Sequence, residues 1–392
     1  MMKNLKNILL ASAIVSFTAC NGSITKKTVH DNAPEIAMIN TSPVQPVQPA
    51  TIQIALLLDT SGSMNGLIDQ AKTQLWNLVN QMTYAHCNEV QANIEIALYE
   101  YGNTAIPERQ DFLRQIVPFS TDLDLISKEL FALDTNGGDE YCGAVIKHAT
   151  QNLEWRNGQQ DLKMIFIAGN ESFLQGSTSI DQVMGAASQK DITVNTIFCG
   201  DAQTGISLKW KNGSKLGHGE YTVINHNQKT HYVTTPYDDQ ILKLNTQLNS
   251  TYVSYGSTGE AKSVQQSYID HQTAGVSVTA NVNRSIVKSK SVYKNAEWDL
   301  IDAAEDEEML EDLIVANKMT LSADLKDKSV EEIKKITLAK KEDRAKIQKS
   351  IQELSQKRDF YIKTQNAGEN ELESAMVNAV KKKAKLKNYS WK

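Results

Sequence analysis

Residues 52–58, IQIALLL, form a run of apolar or uncharged side chains that stops at Asp59. A short run of this kind, bounded by turn-formers, predicts a central strand buried on both faces. After a small polar loop, Leu67, Ala71, Leu75, Leu78 and Met82 recur at helical spacing. Further strands are expected over residues 94–99, 113–119 (an edge), 164–168 and 193–198. Helices are expected over 123–133, 141–153 and 180–190, the first capped by Thr121 or Asp122. A strand pair near 221–224 and 231–234 and a helix over 238–248 complete the series. This alternation predicts an α/β, doubly wound, mainly parallel sheet flanked by helices, spanning residues 51–256.

The pattern then changes. Residues 257–291 are rich in Ser, Thr, Val and Gln without helical period and read as a connector, with one strand-like alternation over 275–282. A helical C-terminal region, 292–392, follows. It opens with an acidic helix over 298–314; Ser329 and Glu332 then form a capping box for a long helix to about residue 362. Ile333, Ile336, Ile347, Ile351, Leu354 and Tyr361 give that helix one apolar stripe, interrupted by Lys340. The end of the chain reads as a short helix followed by KKKAKLK, a basic tail that is either solvated, or in contact with anionic lipid, an acidic partner or the acidic helix.

The N-terminal 50 residues carry no core pattern. Lys3 and Lys6 precede a short apolar stretch and then Phe17-Thr18-Ala19-Cys20. This resembles a bacterial lipoprotein signal over residues 1–20, with Cys20 as the lipidated residue, ordinary signal-peptidase cleavage being the alternative. The apolar stretch is too short to span a bilayer. Residues 21–50 hold four of the seven prolines and read as a partly extended tether. An exported protein of the bacterial envelope, tethered to a membrane by its N-terminal lipid, is therefore expected. The net charge of −5 gives no general argument for nucleic acid.

The candidate chemistry lies in the loop after the first strand. In Asp59-Thr60-Ser61-Gly62-Ser63, oxygen-bearing side chains alternate in a sharp turn, so that positions 59, 61 and 63 can converge on a hard cation such as Mg²⁺. The bland alternative is a strand-to-helix turn in which the serines cap the helix. Strand, DTSGSM and amphipathic helix together resemble the metal-ion-dependent adhesion site (MIDAS) of von Willebrand factor type A domains. The resemblance implies a doubly wound fold, a divalent ion (Mg²⁺, with Mn²⁺ or Ca²⁺ as alternatives) and a protein partner that offers an exposed carboxylate to the ion. It also implies a threonine in a second loop and an aspartate in a third. Here Asp139 stands at the threonine position and Gly169 at the aspartate position. Read together, these departures move a carboxylate from the third loop to the second. Asp59, Ser61, Ser63 and Asp139 are then the expected metal ligands, with Thr135, Glu140 and Glu171 as substitutes or water-mediated contributors. Asp139 and Glu140 could instead only favour a helix N-terminus.

Other residues have blander readings. His226 and His231 lack further ligands and read as surface histidines. Oxidising conditions outside the cytoplasm permit a disulfide, with Cys142 and Cys199 the candidate pair. No CxxC, HExxH, GxxxxGK or GxSxG occurs. The expected function is non-enzymatic, cation-dependent protein recognition. The alternatives are a metal-assisted hydrolase using Glu140 or Glu171 as base, or an envelope scaffold with a structural or vestigial metal site.

Overall fold

The computed structural model describes residues 49–225, 233–365 and 371–391. Cys20, the lipoprotein-type signal and the proline-rich tether lie outside these residues, as do His226 and His231.

In chain order the elements are β1 (Thr51–Asp59), α1 (Asn65–Met82), β2 (Ala85–Cys87), β3 (Val90–Gln91), β4 (Asn93–Tyr101), β5 (Leu113–Ser120), α2 (Leu123–Phe131) and α3 (Cys142–Asn152). They continue with β6 (Leu162–Gly169), α4 (Ile180–Gln189), β7 (Ile192–Cys199), α5 (Ala202–Ser207), α6 (Trp210–Leu216), β8 (His218–Ile224) and α7 (Asp238–Asn249). The C-terminal region adds α8 (Gly259–Val276), α9 (Val278–Lys288), α10 (Leu300–Ala303), α11 (Glu307–Asn317), α12 (Ala323–Lys326), α13 (Val330–Thr364), α14 (Glu371–Ala384) and β9 (Tyr389–Trp391).

The main sheet has the order β5-β4-β1-β6-β7-β8. All neighbours are parallel except β5, which runs antiparallel to β4 at the edge. β1 is buried along its whole length, as its unbroken apolar run requires. Its side chains alternate between two cores. Ile52, Ile54, Leu56 and Leu58 face α1, α2 and α14, whereas Ala55 and Leu57 face α3, α4 and Trp210. The sheet is thus covered on both faces, the layered arrangement expected for parallel strands. Its register brings Asp59 beside Tyr101, and Leu58 beside Ala168, so that three strand ends deliver their following loops to one pole.

The C-terminal helices return to the sheet, and residues Gln48–Lys392 make one compact unit. α14 lies on the α1 face, with Leu372, Met376, Val377 and Val380 buried at helical spacing, and β9 pairs antiparallel with β2. Two smaller cores complete the region. One joins Val253 and Leu300 to Leu310, Ile314 and Ile333; the other joins Ile241 and Leu248 to Ile286, Ile351 and Leu354.

Several local expectations change. Residues 257–291 are not an irregular connector, and 275–282 are not a strand: α8 and α9 occupy them. The two helices meet at Ser277, whose extended backbone and side-chain bond from Ala280 N–H (2.9 Å) start the second helix. The acidic helix is divided into α10 and α11, because Asp306 caps a new helix by accepting from Met309 N–H (2.8 Å). Ser329 and Glu332 do form the capping box of α13. Lys340 interrupts its apolar stripe for a reason, since its Nζ donates to Ser250 O (3.1 Å). The basic tail meets neither open solvent alone nor the acidic helix: Lys383 and Lys387 pair with Asp191, and Lys382 pairs with Glu220.

The expected Cys142–Cys199 disulfide is absent, and Cys87, Cys142 and Cys199 are free and buried. Cys142 belongs to the core on one face of the sheet and Cys199 to the core on the other. The sheet itself separates the two sulfurs.

Candidate metal centre

β1 ends on Asp59, and the loop that follows is held from below by Thr60 N–H donating to Tyr101 O (2.9 Å) and from the side by Asn136 N–H donating to Thr60 O (2.9 Å). These bonds turn the chain sharply into α1. Asp59 Oδ1 accepts from Ser61 N–H at 2.7 Å, an Asx-type bond that fixes the carboxyl group over the turn. Ser61 Oγ lies 3.3 Å from Ser63 Oγ, which also accepts from Asn170 Nδ2 at 3.0 Å. Positions 59, 61 and 63 thus assemble as the alternation in the sequence requires. Asp59 and Ser61 are buried, while Ser63 is exposed.

The second loop supplies a carboxylate one position later than expected. Asp139 is exposed, its carboxylate turned to Tyr141 Oη (3.1 Å) and Gln175 Nε2 (3.3 Å). Glu140 is buried, only 3% exposed, and its side chain reaches Asp59 and Ser61. Its Oε2 accepts from Glu171 N–H (3.3 Å), and its own N–H donates to Gln175 Oε1 (2.9 Å). Counting from the glycine pair toward α3 does not reveal which neighbouring side chain turns inward. Gly138 lets the loop lie close against Gly102, since a Cβ there would stand 2.6 Å from Gly102 O.

Thr135 is half-buried and bonds to Asn65 Oδ1 rather than to the centre. Glu171 is exposed and contributes its backbone, N–H to Glu140 and C=O to Trp210 Nε1 (2.7 Å).

The third loop explains its missing aspartate. A Cβ on Gly169 would stand 2.5 Å from Tyr101 Oη and 3.1 Å from Asp59 Oδ2. Tyr101 is fully buried and donates to Ala168 O (2.9 Å). Its hydroxyl therefore occupies the room a third-loop side chain would take. Gly102, next in sequence, has φ +80, and a Cβ there would come within 2.9 Å of both Asp59 Oδ1 and Glu140 Cγ. Sequence reasoning missed Tyr101 and Gly102; the available signal was an aromatic-glycine pair ending a strand beside β1.

The electrostatics follow from burial. Desolvation raises the Asp59 carboxyl well above the usual carboxylate range, and the neighbouring Glu140 raises it further; the bonds from Ser61 oppose this. Glu140 is raised chiefly by desolvation as well, with bonds from Asp59, Ser61 and Glu171 N–H pulling the other way. Asp59 Oδ2 is buried with no hydrogen-bond donor, and so is Asn170 Oδ1. Two carboxylates can approach each other only by sharing a proton or a cation. Among the described residues, no lysine, arginine or histidine forms an ion pair with either group. Nor do the described residues contain three or more His, Cys, Asp or Glu side chains grouped to hold a metal. An ion here would take two carboxylates, Asp59 and Glu140, and the hydroxyls of Ser61 and Ser63. This all-oxygen donor set suits Mg²⁺, Mn²⁺ or Ca²⁺, and the unsatisfied Asp59 oxygen fits a cation.

A mainly parallel sheet between helical layers, with an oxygen-rich loop beyond its carboxyl edge, defines a doubly wound α/β domain. That domain has the von Willebrand factor type A fold, and residues 53–210 match the family model "von Willebrand factor type A domain". Such domains commonly mediate metal-dependent protein interaction. A search of curated proteins returned no match. Among solved structures, the conserved hypothetical protein BatB of Bacteroides thetaiotaomicron is 15% identical, with 44% of this chain and 90% of that one covered and a TM-score of 0.34. An aerotolerance-related membrane protein of Bacteroides fragilis is 17% identical, covering 45% and 93%, TM-score 0.31. Proximal thread matrix protein 1 from the mussel byssus, with a zinc-occupied MIDAS motif, is 10% identical, covering 46% and 43%, TM-score 0.35.

Proposed function

We propose that this protein is a non-enzymatic binding module of the bacterial envelope that recognises an acidic group of another protein through a divalent cation. The observation that carries this reading is the buried pair of Asp59 and Glu140, close together beside the Ser61–Ser63 hydroxyls and, among the described residues, in no ion pair with a cationic side chain. Asp59 and Glu140 would hold the ion and offset its charge, and Ser61 and Ser63 would supply neutral oxygens. The bound cation would offer a Lewis-acidic point to a partner carboxylate. Asn170 fixes the Ser63 hydroxyl at the exposed side of the site, where a partner can reach it. Anchoring would run through a lipid on Cys20; incorporation of labelled palmitate that Cys20→Ala abolishes tests that part.

Isothermal titration with Mg²⁺ and Mn²⁺ tests the site. Binding is expected, with Ser61→Ala removing it and Glu140→Gln weakening it by about tenfold or more. Asp139→Asn, altering an exposed side chain turned away from Asp59, should change affinity less than about threefold. Equal losses in the Glu140 and Asp139 variants would refute the ligand assignment. A wild-type chain that takes up neither ion would refute the function.

A further inference from the structure

The C-terminal lysines are gathered rather than spread along a free tail. The last turn of α14 carries Lys381, Lys382 and Lys383, and the next turn adds Lys385 and Lys387. This cluster is seated at the pole of the sheet opposite the cation loops. Lys387 Nζ donates to Asp161 O (2.7 Å), just before β6, and to Asp191 Oδ2 (2.6 Å), just before β7. Tyr389 Oη donates to Gln160 O (3.0 Å), which fastens the segment there. The described chain begins at the same pole, where Thr51 N–H donates to Asp161 Oδ1 (2.9 Å). Lys383 and Lys387 share Asp191, and Lys382 pairs with Glu220 while staying largely exposed. Lys381 and Lys385 pair with no carboxylate among the described residues. Beside Lys385, Leu386 projects its apolar side chain into solvent at 79% exposure.

We propose that this lysine pole docks on an anionic bilayer surface. A cluster of lysines in the same two turns as an exposed leucine combines the two attractions of interfacial binding, charge toward anionic headgroups and insertion of an apolar side chain. The excess of lysine over the few carboxylates that meet it supplies the complementary charge. β1 then carries the chain roughly 25 Å to Asp59, so docking by this pole turns the cation loops away from the membrane and toward a partner. The proposal is independent of the cation reading.

The test is co-sedimentation with vesicles, using the protein from residue 21, which keeps the whole compact unit Gln48–Lys392. Vesicles of phosphatidylcholine mixed with phosphatidylglycerol are compared with phosphatidylcholine alone. Binding to the mixed vesicles only is expected; it should weaken with added salt and be unaffected by EDTA. Lys382→Gln with Lys385→Gln should reduce it about 25-fold, about fivefold for each lysine. Leu386→Ser should reduce it about tenfold. All three side chains are exposed, and circular dichroism is used to check that the variants fold. Absent binding, equal binding to both vesicle types, or an unchanged double variant would overturn the proposal. So would salt-sensitive self-association without vesicles that the same substitutions abolish, since that assigns the pole to a second copy of the chain.

Discussion

Asp59 joins two requirements that conflict in the absence of an ion. Its carboxyl must sit buried beside Glu140 to complete the oxygen cluster, yet burial and that neighbour both oppose its charge. The folded pKa lies above the unfolded one, so the stability this group contributes is complete below the ordinary carboxylate range, about pH 4. It is lost as pH rises through the elevated folded value. In EDTA, the melting temperature of the wild type should therefore fall relative to Asp59→Asn as pH rises from about 4 toward neutrality; parallel curves would refute the coupling. Adding Mg²⁺ at neutral pH should recover the difference in the wild type alone, because ligand binding stabilises the state that binds it. Gly169 is the second decisive position. Restoring a carboxylate with Gly169→Asp would drive a Cβ against Tyr101 Oη and Asp59 Oδ2. It should lower unfolding stability by about 1–3 kcal/mol in denaturant titration without increasing Mg²⁺ affinity.

The elements that join the sheet domain to the C-terminal helices are fastened by buried charge as well as apolar contact. Arg284 on α9 is fully buried; it pairs with Asp124 on α2 and Asp270 on α8 and lies over the Trp76 ring of α1, 4.6 Å from its centroid. Lys288 adds a second cation to Asp270, whose carboxyl is held well below the usual range by these neighbours despite its own desolvation. Such a cluster resists loss of a member more than it adds net stability, because the remaining charges are left buried and uncompensated. Arg284→Ala should thus cost about 3–5 kcal/mol, read from thermal or chemical unfolding. A cost within that of an exposed substitution would show that the network does not hold α8 and α9 in place. The helices themselves were hidden in the sequence because polar residues such as Gln266, Thr273, Asn283, Arg284 and Lys288 take buried positions while Val264, Tyr268 and Val278 face outward, which erases the apolar period.

Across the whole molecule, the α1 face of the sheet is covered by parts of the chain more than 300 residues apart in sequence from β1. α14 closes over Leu56, Leu58 and Phe166, and β9 adds to β2. A fragment of residues 49–256 would expose that face together with the outer side of α1. It should lose near-ultraviolet dichroism and aggregate, while the full chain unfolds in one cooperative transition seen alike by far-ultraviolet dichroism and tryptophan fluorescence. A fragment that melts cooperatively would show that the sheet domain is self-sufficient.

The sequence by itself determined the parts governed by local chemistry. The apolar run of β1 admits only a strand buried on both faces, the DxSxS turn places its oxygens at alternate positions, and Ser329 with Glu332 starts a helix through bonds within four residues. Tertiary structure decided what depends on which side chains face one another across elements. Glu140 rather than Asp139 turns to Asp59, in a loop that Gly138 lets lie against Gly102; the third loop bears a glycine because Tyr101 fills the space; and Cys142 and Cys199 stay apart because a sheet lies between them. These outcomes rest on distances between segments remote in sequence, and residue spacing along the chain carries no record of such distances.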